Sequence, residues 1–184
     1  LGYAGDAASV YLNFVYGDQD GTLDPKTVGT EAASSAGALF QADLTAGFDV
    51  SEAFYLGVNA TVNATPAGEF AENGTIQDMD GDEFGFSGAA LYLQYAATDD
   101  FAIGLRGEYF AETNGGYGIL GAYDDAGAAN VLALTLSANA KLGNLTVIPE
   151  IRLDNASETG AFLDSDLAPS SSLASFLLAT VYSF

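Results

Sequence analysis

Phe176-Leu177-Leu178-Ala179-Thr180-Val181-Tyr182-Ser183-Phe184 is the stretch that decides the fold. Phe176, Leu178, Thr180, Tyr182 and Phe184 recur at every second position. Successive side chains of a strand point to opposite faces, so this is a strand with one broad, aromatic-ended apolar face. A bare aromatic strand at the edge of a soluble protein invites pairing with other chains. A barrel whose last strand zips to an earlier one has no such edge, and closure of that kind is the expectation here.

The same period-two alternation recurs upstream. It predicts eight strands over about 8–17, 38–50, 53–63, 87–97, 100–111, 130–142, 144–154 and 172–184. The connections alternate in length. Ser51-Glu52, Thr98-Asp99 and Gly143-Asn144 are tight turns, whereas 18–37, 64–86, 112–129 and 155–171 are long and polar. Of the 25 acidic residues, 16 fall in those four long stretches, so one end of the sheet is expected to be strongly acidic. Short turns at one end and long loops at the other describe a transmembrane barrel, with both termini at the short-turn end.

The strand faces agree. Leu145, Val147, Pro149, Ile151 and Leu153 share one face; Glu150, Arg152 and Asp154 share the other. Leu132, Leu134 and Leu136 oppose Thr135, Ser137 and Lys141, and Phe101, Ile103, Leu105 and Tyr109 oppose Arg106 and Glu108. A soluble sandwich alternates too. Strands of ten or more residues, with Tyr and Phe towards their ends, fit a bilayer better. No window approaches the roughly 18 unbroken apolar residues of a membrane helix, and only helices and closed barrels satisfy their backbone in lipid. The fold expected is all-β: an antiparallel up-and-down transmembrane β-barrel, eight strands in this chain, with residues 1–184 as a single outer-membrane barrel domain. Pro149 lies within a strand, where it cannot donate to the ladder, and predicts a bulge or an unpaired position.

Composition excludes several functions. A net charge of −21 argues against nucleic-acid binding, which needs a basic footprint. With no His and no Cys, Ser-His-Asp, Cys-His and the usual zinc sites are excluded, and no phosphate-binding or dinucleotide motif appears. The chain is read as no enzyme and without an obligate cofactor. Leu1 to Val10 contain Asp6 and no basic segment, so no export signal is expected there and the sequence reads as mature or truncated.

Gly104-Leu105-Arg106-Gly107-Glu108-Tyr109-Phe110, Val147-Ile148-Pro149-Glu150-Ile151-Arg152-Leu153-Asp154 and the closing Val181-Tyr182-Ser183-Phe184 resemble the last strands of the OmpL-like β-barrel porins of Gram-negative bacteria. The resemblance is best from about Ala89 onward. It implies an outer-membrane barrel that passes small solutes. Members of that family are usually about twice as long, so this chain reads either as the C-terminal half of a larger barrel or as a compact eight-stranded relative. The difference matters, because eight strands enclose a side-chain-filled interior whereas about 16 leave a channel.

Phe176, Tyr182 and Phe184 match the aromatic ending that the barrel-assembly machinery reads in such proteins. Deleting Phe184 is therefore expected to lower membrane yield far more than deleting Ser171; equal yields of the two variants would rule the signal out. Arg106, Glu108, Glu150, Arg152 and Asp154 are expected to face the lumen, either as an ion-pair network that fills a small barrel or as a charged constriction. Arg106 and Glu150 each lie about six residues past a tight turn and are expected at similar heights. Two acidic runs are candidates for weak Ca²⁺ binding, Asp18-Gln19-Asp20-Gly21 with Asp24, and Asp78-Met79-Asp80-Gly81-Asp82-Glu83. Neither carries the glutamate that an EF-hand loop needs at position twelve, and a solvated acidic loop explains both as well.

Three functions remain. One is a porin-type barrel that admits small hydrophilic solutes, with the acidic loops favouring cations. The second is a closed eight-stranded barrel with a structural or surface-binding role through those loops. The third, a secreted soluble β-sandwich, predicts solubility without detergent. Expected partners are outer-membrane lipid, the barrel-assembly machinery and other outer-membrane proteins, and the expected location is the bacterial outer membrane.

Overall fold

Strands dominate because apolar and polar residues alternate over runs too long for a turn and with the wrong period for a helix. The computed structural model describes residues 1–18, 38–65, 69–70, 76–78, 83–115 and 117–184, and contains no helix among them. Nine strands form one sheet: β1 (Gly2–Ala4), β2 (Ala8–Asp18), β3 (Ala38–Asp49), β4 (Phe54–Thr65), β5 (Phe84–Thr98), β6 (Phe101–Thr113), β7 (Ala129–Leu142), β8 (Leu145–Ala156) and β9 (Ser172–Tyr182). Each pairs antiparallel with its sequence neighbour, so the sheet is an up-and-down meander in chain order. Strands β2 to β9 are the eight expected ones. The short β1 was not anticipated, since three residues are too few to show a period. Two small hairpins, Glu69–Phe70 with Ile76–Asp78 and Phe162–Leu163 with Pro169–Ser170, decorate the long connections.

The expected closure is not seen. No pairing joins β9 to β1 or β2 among the described residues, and the sheet is open. Part of the place that a closing strand would take beside β2 is occupied. Strand β1 pairs there with Ser9–Tyr11, and the Leu1 ammonium and the Leu12 N–H each donate to the other residue's carbonyl at 2.7 and 2.8 Å.

Register sorts the side chains cleanly. On the apolar face, Leu105, Leu136, Ile151 and Phe176 are successive cross-strand partners in β6 to β9. Leu91, Leu134 and Leu153 stand on the same face, in the next row, and all of these are exposed. Followed through the register, that face of β2 to β9 carries no charged residue among those whose side chains are described. Phe176 and Tyr182 stand on it, two-thirds exposed, and Phe184 follows. Nearly all the buried residues lie on the other face, including Ala90, Ala129, Val131, Ala133 and Ala156.

The turns fix the register. Gly143, at φ 64°, takes the left-handed conformation that the two-residue turn between β7 and β8 requires. Ser51 Oγ accepts from the amides of Ala53 and Phe54 and holds the β3–β4 turn. At Pro149 the β7–β8 pairing lapses across Ile148 and Pro149 and resumes at Glu150–Ser137 in unchanged register. Of the two outcomes anticipated for this proline, an unpaired position is the one found.

Candidate functional site

The polar face is built by every second residue of β2 to β8, and its charges gather in the middle of β6 and β8. Arg106, Glu108, Glu150, Arg152 and Asp154 all lie on this face. Four of them form a chain of contacts. Arg152 grips Asp154 through Nη2 at 2.7 Å and through Nε at 2.8 and 3.0 Å. Its Nη2 also reaches Glu108 at 3.3 Å. Glu108 in turn lies 3.5 Å from Arg106 Nε, too far and too poorly aligned for a hydrogen bond. Arg106 Nη2 donates weakly to Thr135 Oγ1 at 3.4 Å. Arg152 is thus firmly held and Arg106 loosely held.

Glu150 stands apart, with no ion-pair partner among the described residues, and the expected levelling of Arg106 with Glu150 does not occur. Arg106 pairs with Thr135 and Thr135 with Arg152, so Arg152 shares its height. The reason is stagger. Phe101 is paired with Ala140, and β7 runs two residues further before it turns, so β8 begins two residues lower than β6.

Above this network sits a feature the sequence reading missed. Glu112, the last inward-pointing residue of β6, is 1% exposed. Its carboxylate accepts the backbone amides of Tyr117 at 2.8 Å, Ile119 at 3.0 Å and Leu120 at 2.9 Å, and the Tyr123 hydroxyl at 2.7 Å. Burial, and next the carboxylate at its hydroxyl, push the Tyr123 phenol pKa up. One side chain therefore draws Tyr117, Ile119, Leu120 and Tyr123 inward over the polar face. Tyr117 completes the fold-over. Its hydroxyl pairs with Thr65 at 2.9 Å, and its ring packs edge-on against Phe84 and Phe86 at 5.3 and 5.8 Å. A cleft of about 430 Å³ lies between Tyr117 and the polar face of β2 to β5.

Some acidic loop residues have backbone work. Asp124 Oδ1 accepts the amides of Ala126 and Ala128, and Asp164 Oδ1 accepts those of Asp166 and Ala168. The Ca²⁺ candidates Asp20, Asp24, Asp80 and Asp82 lie outside the described residues. Asp18 and Asp78 end strands, but their side chains are not among those described. Among the described residues no three acidic side chains converge as a metal site.

A larger cleft, about 490 Å³, opens lower on the polar face across β3 to β8. Tyr55, Tyr92, Gln94, Arg106, Ser137 and Glu150 all line it.

Antiparallel strands of 11 to 15 residues, uncharged on one face and charged on the other, define the class of transmembrane β-barrel proteins. Within it, the chain belongs to the putative beta-barrel porin-2, OmpL-like family, whose model matches residues 1–184 and so also takes in the part before Ala89. Comparison with curated proteins and with solved structures gave no match.

Proposed function

We propose that this protein forms the wall of a bacterial outer-membrane pore that passes small hydrophilic solutes by diffusion, cations in preference to anions. The observation that carries this reading is the separation of faces. One side of eight long strands is free of charge among the residues whose side chains are described, and the other carries Arg106, Glu108, Glu150, Arg152 and Asp154 beside an open cleft. Lipid demands the first face and water the second. Six carboxylates of β3, β6 and β8 (Asp43, Asp49, Glu108, Glu112, Glu150 and Asp154) share the polar face with Arg106, Lys141 and Arg152, which favours cations. Family membership supports a porin-type, non-enzymatic role.

A lipid-embedded sheet cannot leave edges unpaired, so in the membrane the free edges of β1, β2 and β9 must meet a strand. A closed eight-stranded barrel acting through its loops would need β2 to pair with β9. That reading has less support, because β1 holds part of the β2 edge.

The test is single-channel recording of the detergent-purified protein in a planar bilayer under a KCl gradient, with intact mass measured on the same sample. Discrete steps with a cation-selective reversal potential are expected. Silent bilayers at every concentration would overturn the pore, and anion selectivity would overturn the charge argument.

A further inference from the structure

The 490 Å³ cleft is of a size that holds a small organic ligand, and its lining is chemically specific. Its floor is aromatic. A Cβ placed on Gly47 would lie 2.5 Å from Tyr55 Oη, and one on Gly57 would lie 3.1 Å from Tyr55 Cε1. The hydroxyl end of the Tyr55 ring therefore reaches over the backbone of two glycines in neighbouring strands. The ring lines the cleft, and the residue is 39% exposed. Tyr92 borders the same patch, 3.2 Å by its Cβ from the added Gly57 Cβ, and is 37% exposed. A ring seated by its tip against backbone loses little freedom when a ligand stacks on it.

Around this floor the lining is polar and carries both signs of charge. Asn59 spends its Nδ2 on the Leu44 carbonyl and Thr45 Oγ1, which leaves its Oδ1 as an acceptor. Gln94 and Asn139 bring further amides. Arg106 is held only at 3.4 and 3.5 Å, unlike Arg152, so its guanidinium can turn to a ligand. Glu150 lines the same cleft without an ion-pair partner among the described residues. An anion would meet Glu150 and a chain of net charge −21; a cation would meet Arg106. A flat apolar face ringed by donors and acceptors of both kinds suits a neutral polyhydroxylated molecule.

We infer that this cleft is a binding subsite for a saccharide, stacked on Tyr55 and hydrogen-bonded by Gln94, Arg106 and Glu150. The inference rests on the pore reading above and narrows its solute class. The probe is maltotriose, titrated up to about 100 mM against single-channel current in KCl, a range set by the weak binding typical of a solute that must also leave. Concentration-dependent current block is expected. Tyr55→Ala weakens the block about tenfold, as does Gln94→Leu, whereas Tyr55→Phe keeps it, because the aromatic ring remains. Steps without any block would overturn the subsite and leave the pore standing. Block of equal strength in Tyr55→Ala and Gln94→Leu would place the sugar elsewhere and overturn it as well. If bilayers are silent, titration calorimetry of maltotriose into the detergent-solubilised protein decides: binding that Gln94→Leu weakens supports the subsite, and no heat overturns it.

Discussion

Glu112→Ala releases the loop 114–128 from the polar face. The wild-type carboxylate is almost fully buried and serves three backbone amides and one phenol. Hydrogen bonds to a charged group each contribute about 1.5–3 kcal/mol, and they are not additive when one acceptor serves them all. A net loss of about 3 kcal/mol is expected, which corresponds to roughly 100-fold faster hydrogen exchange at Tyr117, Ile119 and Leu120. Leu120 keeps only a 3.3 Å contact to the Tyr123 oxygen. Because Tyr117 then leaves Thr65 and the Phe84–Phe86 pair, the mouth of the pore widens and single-channel conductance rises. Glu112→Gln retains one acceptor oxygen and should fall between the two. Unchanged exchange and unchanged conductance in Glu112→Ala would show that the loop holds its place through Tyr117 alone.

Why this latch escaped the sequence reading is instructive. Three of its four partners are backbone amides five to eight residues ahead, and backbone amides leave no mark in a sequence. A hint existed. Arg106, Glu108, Phe110 and Glu112 share one parity, and Glu112 stands just before the glycine-rich stretch 114–118. An inward carboxylate next to a run of unpaired amides is a place where a loop can fold back. By contrast, the eight long strands were legible to within three residues at their ends, because a two-residue period sustained over 11 or more positions has no competing explanation. The sorting of faces followed from the same period, and with it the common face of Arg106, Glu108, Glu150, Arg152 and Asp154.

Heights were less legible than faces. Levelling Arg106 with Glu150 assumed that adjacent hairpins turn at the same depth, and the extra Lys141-Leu142 pair of β7 breaks that assumption. Closure was not legible at all. Period two says which side of a strand is apolar, but says nothing of which strand lies beyond the edge. The seat of Tyr55 is likewise a diagonal relation between Tyr55, Gly57 and Gly47, and it becomes visible only once the β3–β4 register is known.

Arg152→Met tests whether the charged face is wet. Asp154 is 7% exposed, and its only hydrogen bonds among the described residues come from Arg152. Removing the arginine strands that carboxylate and weakens the hold on Glu108. Breaking a buried pair from one side costs about 3–5 kcal/mol, most of it for the charge left behind. A value near 3 kcal/mol is expected, since the Arg152 side chain keeps 26% of its surface accessible, which lets water reach the gap. It is read from urea unfolding followed by the mobility shift of the folded barrel on gels. The double variant Arg152→Met with Asp154→Leu should recover most of the loss, because a buried pair is seldom more stabilising than an apolar one of similar volume. Permeation gives the second readout. Loss of one cation from a wall already richer in carboxylates raises cation selectivity in the single variant, while the double variant returns it towards wild type. A cost of about 5 kcal/mol with no change in selectivity would put the network in a dry, side-chain-filled interior, and the pore reading would fall with it.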